Sequence, residues 1–392
     1  MTDARSGSDV SRVLLLVCDS WGVGDAPDAE IYGDAGADTL GNTARAVGGI
    51  AVPNLERLGI GRTGAIEGVA PVGDRGTAAG RLTERSAGKD TTTGHWELAG
   101  IVLAEPFPTY PDGFPLEVIE PFERAIGREI LGNRPASGTE IIAELGEEHL
   151  RTGKPIVYTS GDSVFQIAAH ANVAPLAVLY EWSRAARRLL RGPHRVGRVI
   201  ARPFDGEPGS FFRTPGRRDF SVPPPRPTLL DACGSAGVPV YGVGKIQDIF
   251  SGAGVTEGRY SDDNDHGVDL TLSYLRRPGP SLVFANLVDF DSKYGHRNDP
   301  GGYARCIEAL DRRVPEILTA LGDDGVLLLT GDHGCDPTTP STDHTRERTP
   351  LLAAGLPGEA VDVGTRACFA DLLGVQMPEG SAGESFREEL SV

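Results

Sequence analysis

Apolar runs at residues 13–17, 238–243, 282–288 and 326–329 lack the period-two alternation of half-exposed strands, so each predicts a strand buried on both faces. Residues 301–321 carry apolar positions at helical spacing and lead into the last of these runs. Strand, helix, strand in that order favours a parallel sheet with right-handed crossovers. Between these segments the pattern is weaker. Short strands are expected at 156–158 and 196–201, the latter carrying Arg198 out of an apolar run. A helix is expected over 176–191, with Arg184, Arg187, Arg188 and Arg191 on one solvated face. Residues 116–150 read as helical segments around GNRPASGTE, and SWGVGDAPDAEIYGDAGADTLGN reads as loop.

Two Pro-rich stretches, EPFPTYPDGFP and RPFDGEPGSFFRTPGRRDFSVPPPRPT, divide the chain into residues 1–105, 106–224 and 225–392. The expected fold is therefore α/β: a mostly parallel central sheet flanked by helices, built from both ends of the chain, with a smaller α/β cap inserted between them. There is no internal repeat. At 392 residues the chain is long enough for two such domains. Its formal charge of -17 argues against nucleic acid or an anionic membrane as partner. A small anionic substrate is still compatible, because bound divalent ions dominate a local field. No apolar run approaches the roughly 18 residues that span a bilayer. The start, MTDARSGSDVSR, shows no secretory pattern. Cys18, Cys233, Cys306, Cys335 and Cys368 are odd in number and scattered, which fits reduced thiols in a cytoplasmic protein.

The chemistry-bearing residues sit where the predicted strands end. Asp19, Asp332 and His333 follow strand runs directly, Asp289 and Asp291 follow another, and His296 and His344 lie on the loops beyond. Open α/β sheets bind their ligands at such carboxyl ends. Carboxylate and imidazole together suit manganese, zinc or iron. Six ligands suit two ions clamping a displacement at phosphorus. Alternation puts Asp289 and Asp291 on one strand face, so spacing leaves both open. Asp336 and Asp343 read as loop carboxylates, and Cys335 as a small buried hydrophobe rather than a ligand. The cluster SAGKDTTTGHWELAG offers Thr91, Thr92 and Thr93 at the start of a helix. There a hydroxyl would meet backbone N–H groups that favour a phosphoryl group, or would merely cap the helix. GxG occurs near residue 22, but no dinucleotide fingerprint follows it.

The motifs CDSWGVGDAPDA, GKDTTTGHWE, YTSGDSVFQIAAH, GRVIARPF, NLVDFDSKYGH and TGDHGCDPTTPSTDHTRERTPLL resemble the phosphopentomutase family of the alkaline phosphatase superfamily, over nearly the whole chain. That resemblance implies an alkaline-phosphatase-like core, an inserted cap, two manganese ions and a phosphorylated threonine. It would give one ion Asp291, His296 and His344, so choosing Asp291 over Asp289. The other ion would take Asp19, Asp332 and His333, with Thr91 as nucleophile. Ser160, Asp162, Arg198 and Ile200 of the cap, with Lys245 of the core, match the family's sugar-phosphate site. The implied reaction interconverts α-D-ribose 1-phosphate and D-ribose 5-phosphate, and the 2-deoxy sugars, with a sugar bisphosphate as intermediate and as the activator that primes the threonine. Cys335 and Trp21 depart from the family's usual residues, and Trp21 would narrow the region near one ion. The rival readings are a sugar-phosphate phosphatase on the same core and a metal-stabilised binding protein. The implied partner is a small pentose phosphate, and a monomer is favoured.

Overall fold

The structure is a computed structural model that describes residues 10–355, 361–363 and 370–381. Cys368 lies outside the described residues. The chain forms two units: one takes in the chain up to Glu105 and again from Pro224, and the other is Pro106–Pro223.

The first unit is organised around an eight-stranded sheet. Its strands run, in spatial order, Glu257–Arg259, Val240–Val243, Ser281–Leu287, Arg12–Cys18, Gly325–Thr330, Thr349–Ala354, Thr77–Leu82 and Val361–Val363. The first five pair in parallel, Thr349–Ala354 is antiparallel to both of its neighbours, and Val361–Val363 is again parallel to Thr77–Leu82. The central strands are buried on both faces, as their unbroken apolar runs require: Val13 to Cys18 and Val326 to Leu329 are at most 1% exposed. Each such aliphatic side chain contributes about 1.5–3 kcal/mol by leaving water. The Pro300–Leu321 helix covers one face with Tyr303, Ile307, Leu310, Val314, Ile317 and Leu321, spaced three or four residues apart. Asp299 opens this helix by accepting from the amide of Gly302, and Pro300 occupies its first turn, where a missing N–H costs nothing.

The second unit is a six-stranded mixed sheet of Leu131–Pro135, Ile156–Thr159, Val164–His170, Arg198–Asp205, Phe212–Arg213 and Arg218–Ser221. One face packs Val157, Phe165, Ile167, Val199 and Ala201 with residues of the Leu116–Ile126 and Leu176–Leu189 helices. Ile156, Tyr158, Ala168 and Phe204 pack with Ile141 and Ile142 of the Gly138–Thr152 helix.

Several sequence expectations need correction. The helices expected on either side of GNRPASGTE form as Leu116–Ile126 and Gly138–Thr152, but between them lies an unexpected strand, in which Gly132 and Asn133 both take positive φ and bulge against Val157 and Tyr158. The expected loop after Asp19 contains the Thr39–Val47 helix, which Asp38 caps through the amide of Gly41. In the Leu176–Leu189 helix Arg187 is half-buried, off the solvated face. It donates to the carbonyls of Val196 and Leu190 at 2.7 and 2.6 Å, and burial pushes its pKa down to about 10. Trp21 lies wholly buried in the core, edge-on to Phe290 at 5.4 Å. No helix among the described residues is long and apolar enough to cross a membrane.

Candidate active site

Strand register brings the acidic residues to one edge of the first sheet. Arg12–Cys18 pairs with Ser281–Leu287 and Gly325–Thr330 without a shift, so Val17 stands beside both Asn286 and Thr330. The chain leaving these three strands therefore delivers Asp19, Asp291 and Asp332 to the same place. Asp291 sits in a short turn, Phe290–Tyr294, that follows its strand. Asp289, level with it in the sequence argument, is set apart: its Oδ2 accepts from Lys293 Nζ at 3.0 Å and from the Asn264 amide at 3.1 Å. Asp336 is likewise occupied, accepting from the Asp38 amide, Asn42 and Thr338, and Asp343 is exposed.

The side chains form two adjoining groups. In one, His296 Nε2 and His344 Nε2 lie 3.2 Å apart and 3.3 and 3.4 Å from Asp291 Oδ1. In the other, His333 Nε2 lies 3.5 Å from Asp19 Oδ1 and 3.3 Å from Asp332 Oδ2. Ligands about 2.1 Å from a tetrahedral ion are separated by roughly 3.4 Å, so these spacings fit a divalent metal. The hydrogen bonding points the same way. All three histidines donate from Nδ1 to backbone carbonyls: His296 to Thr342, His333 to Gly334 and His344 to Lys89. That fixes the tautomer with the Nε2 lone pairs facing the cluster. Asp19 Oδ1, Asp291 Oδ1 and Asp332 Oδ2 are buried and accept no hydrogen bond. Burial and the nearby Asp332 push the Asp19 carboxyl above its usual range, although Lys245 opposes this from 2.8 Å. Burial also acts on Asp291, but His296 and His344 overcome it and hold this carboxyl well below its ordinary range. Buried carboxylate oxygens left without a hydrogen bond call for cations. Cys335 approaches His296 from the other side of the ring, with its Sγ 3.9 Å from Nδ1.

The Thr91–Leu98 helix carries the candidate nucleophile to this cluster. Asp90, not a threonine, is the N-cap, and its Oδ1 accepts from the amides of Thr92 and Thr93. Those two amides are therefore not free to receive a phosphoryl group. Thr93 Oγ1 donates to Asp90 Oδ2 at 2.5 Å, whereas Thr91 Oγ1 lies 3.2 Å from His333 Nε2. The helix comes this close only because residue 94 is glycine; a Cβ there would run into the carbonyl of Asp332.

Several residues beyond those expected from the sequence position the cluster. His95, one helical turn after Thr91, places its Nδ1 2.8 Å from the Thr91 carbonyl and 3.1 Å from Asp332 Oδ2. Its spacing from Thr91 was the available signal. Arg346 is almost wholly buried and donates to Asp28, Glu84 and the carbonyl of Gly88. With His344 bound to the Lys89 carbonyl and Asp34 bound to Lys89 Nζ at 2.8 Å, three contacts anchor the segment just before Asp90. Glu347, also buried, accepts from the Thr39 amide, Thr39 Oγ1 and Thr345 Oγ1. Only glycine fits at 22 and 334 beside it.

Glu347 has a measurable consequence. Burial pushes its carboxyl up to about 8, against the hydrogen bonds it accepts. An unfolded glutamate ionises near 4.3, so between about pH 5 and 8 the folded state holds a proton that the unfolded chain has lost. Stability from this group is present at acid pH and falls as pH rises through that window. Glu347→Gln is expected to flatten the fall of melting temperature between pH 5 and 8. A fall as steep as in the wild type would show that Glu347 ionises normally.

The cap residues fall within the second unit. Arg198 opens its strand and reaches Asp162 Oδ2 at 3.2 Å and Asp219 Oδ2 at 3.4 Å. Ile200, two residues on, is buried, and Ser160 is half-buried after Ile156–Thr159. Lys245 belongs to the first unit and sits on Asp19.

The sequence matches the metalloenzyme superfamily over residues 11–378. It is 59% identical to a phosphopentomutase of Anaeromyxobacter dehalogenans over 362 residues, which is 92% of each chain. It is 52% identical to a phosphopentomutase of Alkaliphilus metalliredigens over 97% of this chain and 99% of that one. A phosphopentomutase of Thermotoga maritima is 55% identical, over 92% of this chain and 93% of the relative.

Proposed function

Because this chain belongs to the phosphopentomutase family of the metalloenzyme superfamily, we propose that it interconverts α-D-ribose 1-phosphate and D-ribose 5-phosphate, and the 2-deoxy sugars, through a phosphothreonine and a sugar bisphosphate. The enzyme is an isomerase. The observation that carries the mechanism is the convergence on one site of three unpartnered carboxylate oxygens, three Nε2 lone pairs and the Thr91 hydroxyl.

Asp291, His296 and His344 would hold one divalent ion, and Asp19, Asp332 and His333 the other; this oxygen and nitrogen set suits manganese, zinc or iron, and manganese is the ion that the family resemblance implies. When bound, the ions neutralise phosphoryl oxygens and lower the pKa of the threonine hydroxyl. Phospho-Thr91 gives its phosphoryl group to the free hydroxyl of the pentose phosphate: the bond from phosphorus to Thr91 Oγ1 breaks, and a bond to the sugar oxygen forms. The resulting bisphosphate returns its other phosphoryl group to Thr91, which regenerates the phosphoenzyme and leaves the isomer. A sugar bisphosphate from outside primes unphosphorylated enzyme by the same second step. Lys245, beside Asp19, adds positive charge near the transferring group. Ser160, Asp162, Arg198 and Ile200 bind the sugar phosphate.

An assay with manganese and ribose 1-phosphate, scoring ribose 5-phosphate against free phosphate, tests this reading. Isomer should greatly exceed free phosphate. Stoichiometric release of phosphate without isomer would make the protein a phosphatase.

A further inference from the structure

Among the described residues four other than glycine take positive φ, and one of them, Ser20 at +73°, directly follows the metal-site carboxylate Asp19. A serine seldom adopts this conformation, because its Cβ crowds the backbone there. The residue stands third in a turn over residues 18–21, closed by the Trp21 amide on the Cys18 carbonyl at 3.0 Å. Turns with positive φ at that place ordinarily take glycine or asparagine. Such a conformation persists in serine only where the surroundings impose it.

Tyr303, on the Pro300–Leu321 helix, supplies that constraint. Its hydroxyl donates to the Ser20 carbonyl at 2.9 Å, and both residues are fully buried. A phenol has one proton to give, so in the second contact, at 3.0 Å, it is Ser20 Oγ that donates to the Tyr303 oxygen. On its other side Ser20 is joined to the metal site, where its amide donates to Asp332 Oδ1 at 3.0 Å. Ser20 thus links Asp19, its neighbour in the chain, to Asp332, and these are two of the three ligands of one ion. The turn and the Asp332 segment approach closely: a Cβ on Gly331 would run into the Trp21 carbonyl. The ring of Tyr303 meets the other group, lying 5.7 Å from Phe290, the residue before Asp291.

We infer that Tyr303 is a positioning residue for the ion of Asp19, Asp332 and His333: its hydroxyl keeps Ser20 in the left-handed conformation that sets Asp19 and Asp332 at ligand spacing. This role rests on the two-ion reading proposed above. The hydroxyl serves that ion alone, because Phe290, beside the ligand of the other, is met only by the ring.

Calorimetric titration of the full-length enzyme with manganese tests it, and Asp19→Asn identifies the Asp291 site as the one that survives. Tyr303→Phe keeps the ring and removes the hydroxyl. It should weaken the Asp19 site by about tenfold, the low end of what outer partners of metal ligands contribute, and leave the Asp291 site within about twofold. Glycine takes positive φ without a clamp, so adding Ser20→Gly to Tyr303→Phe should restore the Asp19 site to within about threefold of the wild type. Melting curves of the chelated proteins check that each variant is folded. Wild-type affinity at both sites in Tyr303→Phe would overturn the role. So would equal weakening of both sites, or a loss that Ser20→Gly does not restore, because the hydroxyl would then support the fold and not the ligand geometry. Failure of the two readings is separable: a wild type that binds fewer than two ions contradicts both, and a wild type that binds two, with Tyr303→Phe unaffected, contradicts this role only.

Discussion

Thr91→Ala is expected to abolish mutase activity, lowering kcat by about 10⁴-fold or more, because it removes the oxygen on which the phosphoryl group is carried. The neighbouring hydroxyls cannot replace it. Thr93 Oγ1 is engaged by Asp90, the residue that caps the helix, and among the three hydroxyls it is Thr91 that lies 3.2 Å from His333. Thr92→Ala should stay within about tenfold of the wild type, since its side chain is asked for packing only. Thr93→Ala should lose more stability than Thr92→Ala, as Asp90 is then left with one hydrogen bond fewer, yet it should keep turnover. Steady-state rates at saturating ribose 1-phosphate check all three. Full activity in Thr91→Ala would remove the covalent step from the account.

The second large effect concerns Asp19, and its sign should depend on metal. Asp19 is wholly buried beside Asp332, with an oxygen that accepts nothing, and burial and repulsion raise its pKa. Asp19→Asn removes one of these charges and still offers Lys245 an oxygen. Chelated Asp19→Asn should therefore unfold at or above the wild-type temperature. With manganese the order should reverse. Ions bound at a hundred to a thousand times their dissociation constant stabilise the fold by about 2.7–4.1 kcal/mol, which the variant largely forfeits. For a chain of this size that is a shift of several degrees, accompanied by a fall in kcat of about 10³-fold or more. Melting curves with and without manganese decide the matter. A variant less stable than the wild type by the same amount in both conditions would mean that Asp19 is a structural carboxylate.

The parts of this molecule that rest on local pattern were legible in its sequence. Runs such as Leu14-Leu15-Leu16 can be satisfied only by burial on both faces, so the central strands and the positions of Asp19 and Asp332 at their ends followed directly. Leu131–Pro135 was not legible, because its pairing depends on a bulge at Gly132 and Asn133 and on a partner strand some 25 residues away. Thr77–Leu82 and Thr349–Ala354 were missed for a related reason. Each carries small or interrupted apolar residues, and they are strands because they pair with one another across the chain. Spacing could not separate Asp289 from Asp291. What sets Asp289 apart is Asn264 and Lys293, and the first of these is distant in sequence. Arg346 and Glu347 were invisible as positioning residues, since their partners at Asp28, Thr39, Glu84 and Gly88 come from the opposite end of the chain.

The central claim is that a phosphoryl group rides on Thr91. Enzyme primed with a pentose bisphosphate should be digested and its phosphopeptides sequenced by mass spectrometry. The account predicts one phosphoryl group per chain, on Thr91, discharged when ribose 5-phosphate is added. A phosphate on Thr92 or Thr93, or continued isomerisation with no phosphopeptide, would contradict it.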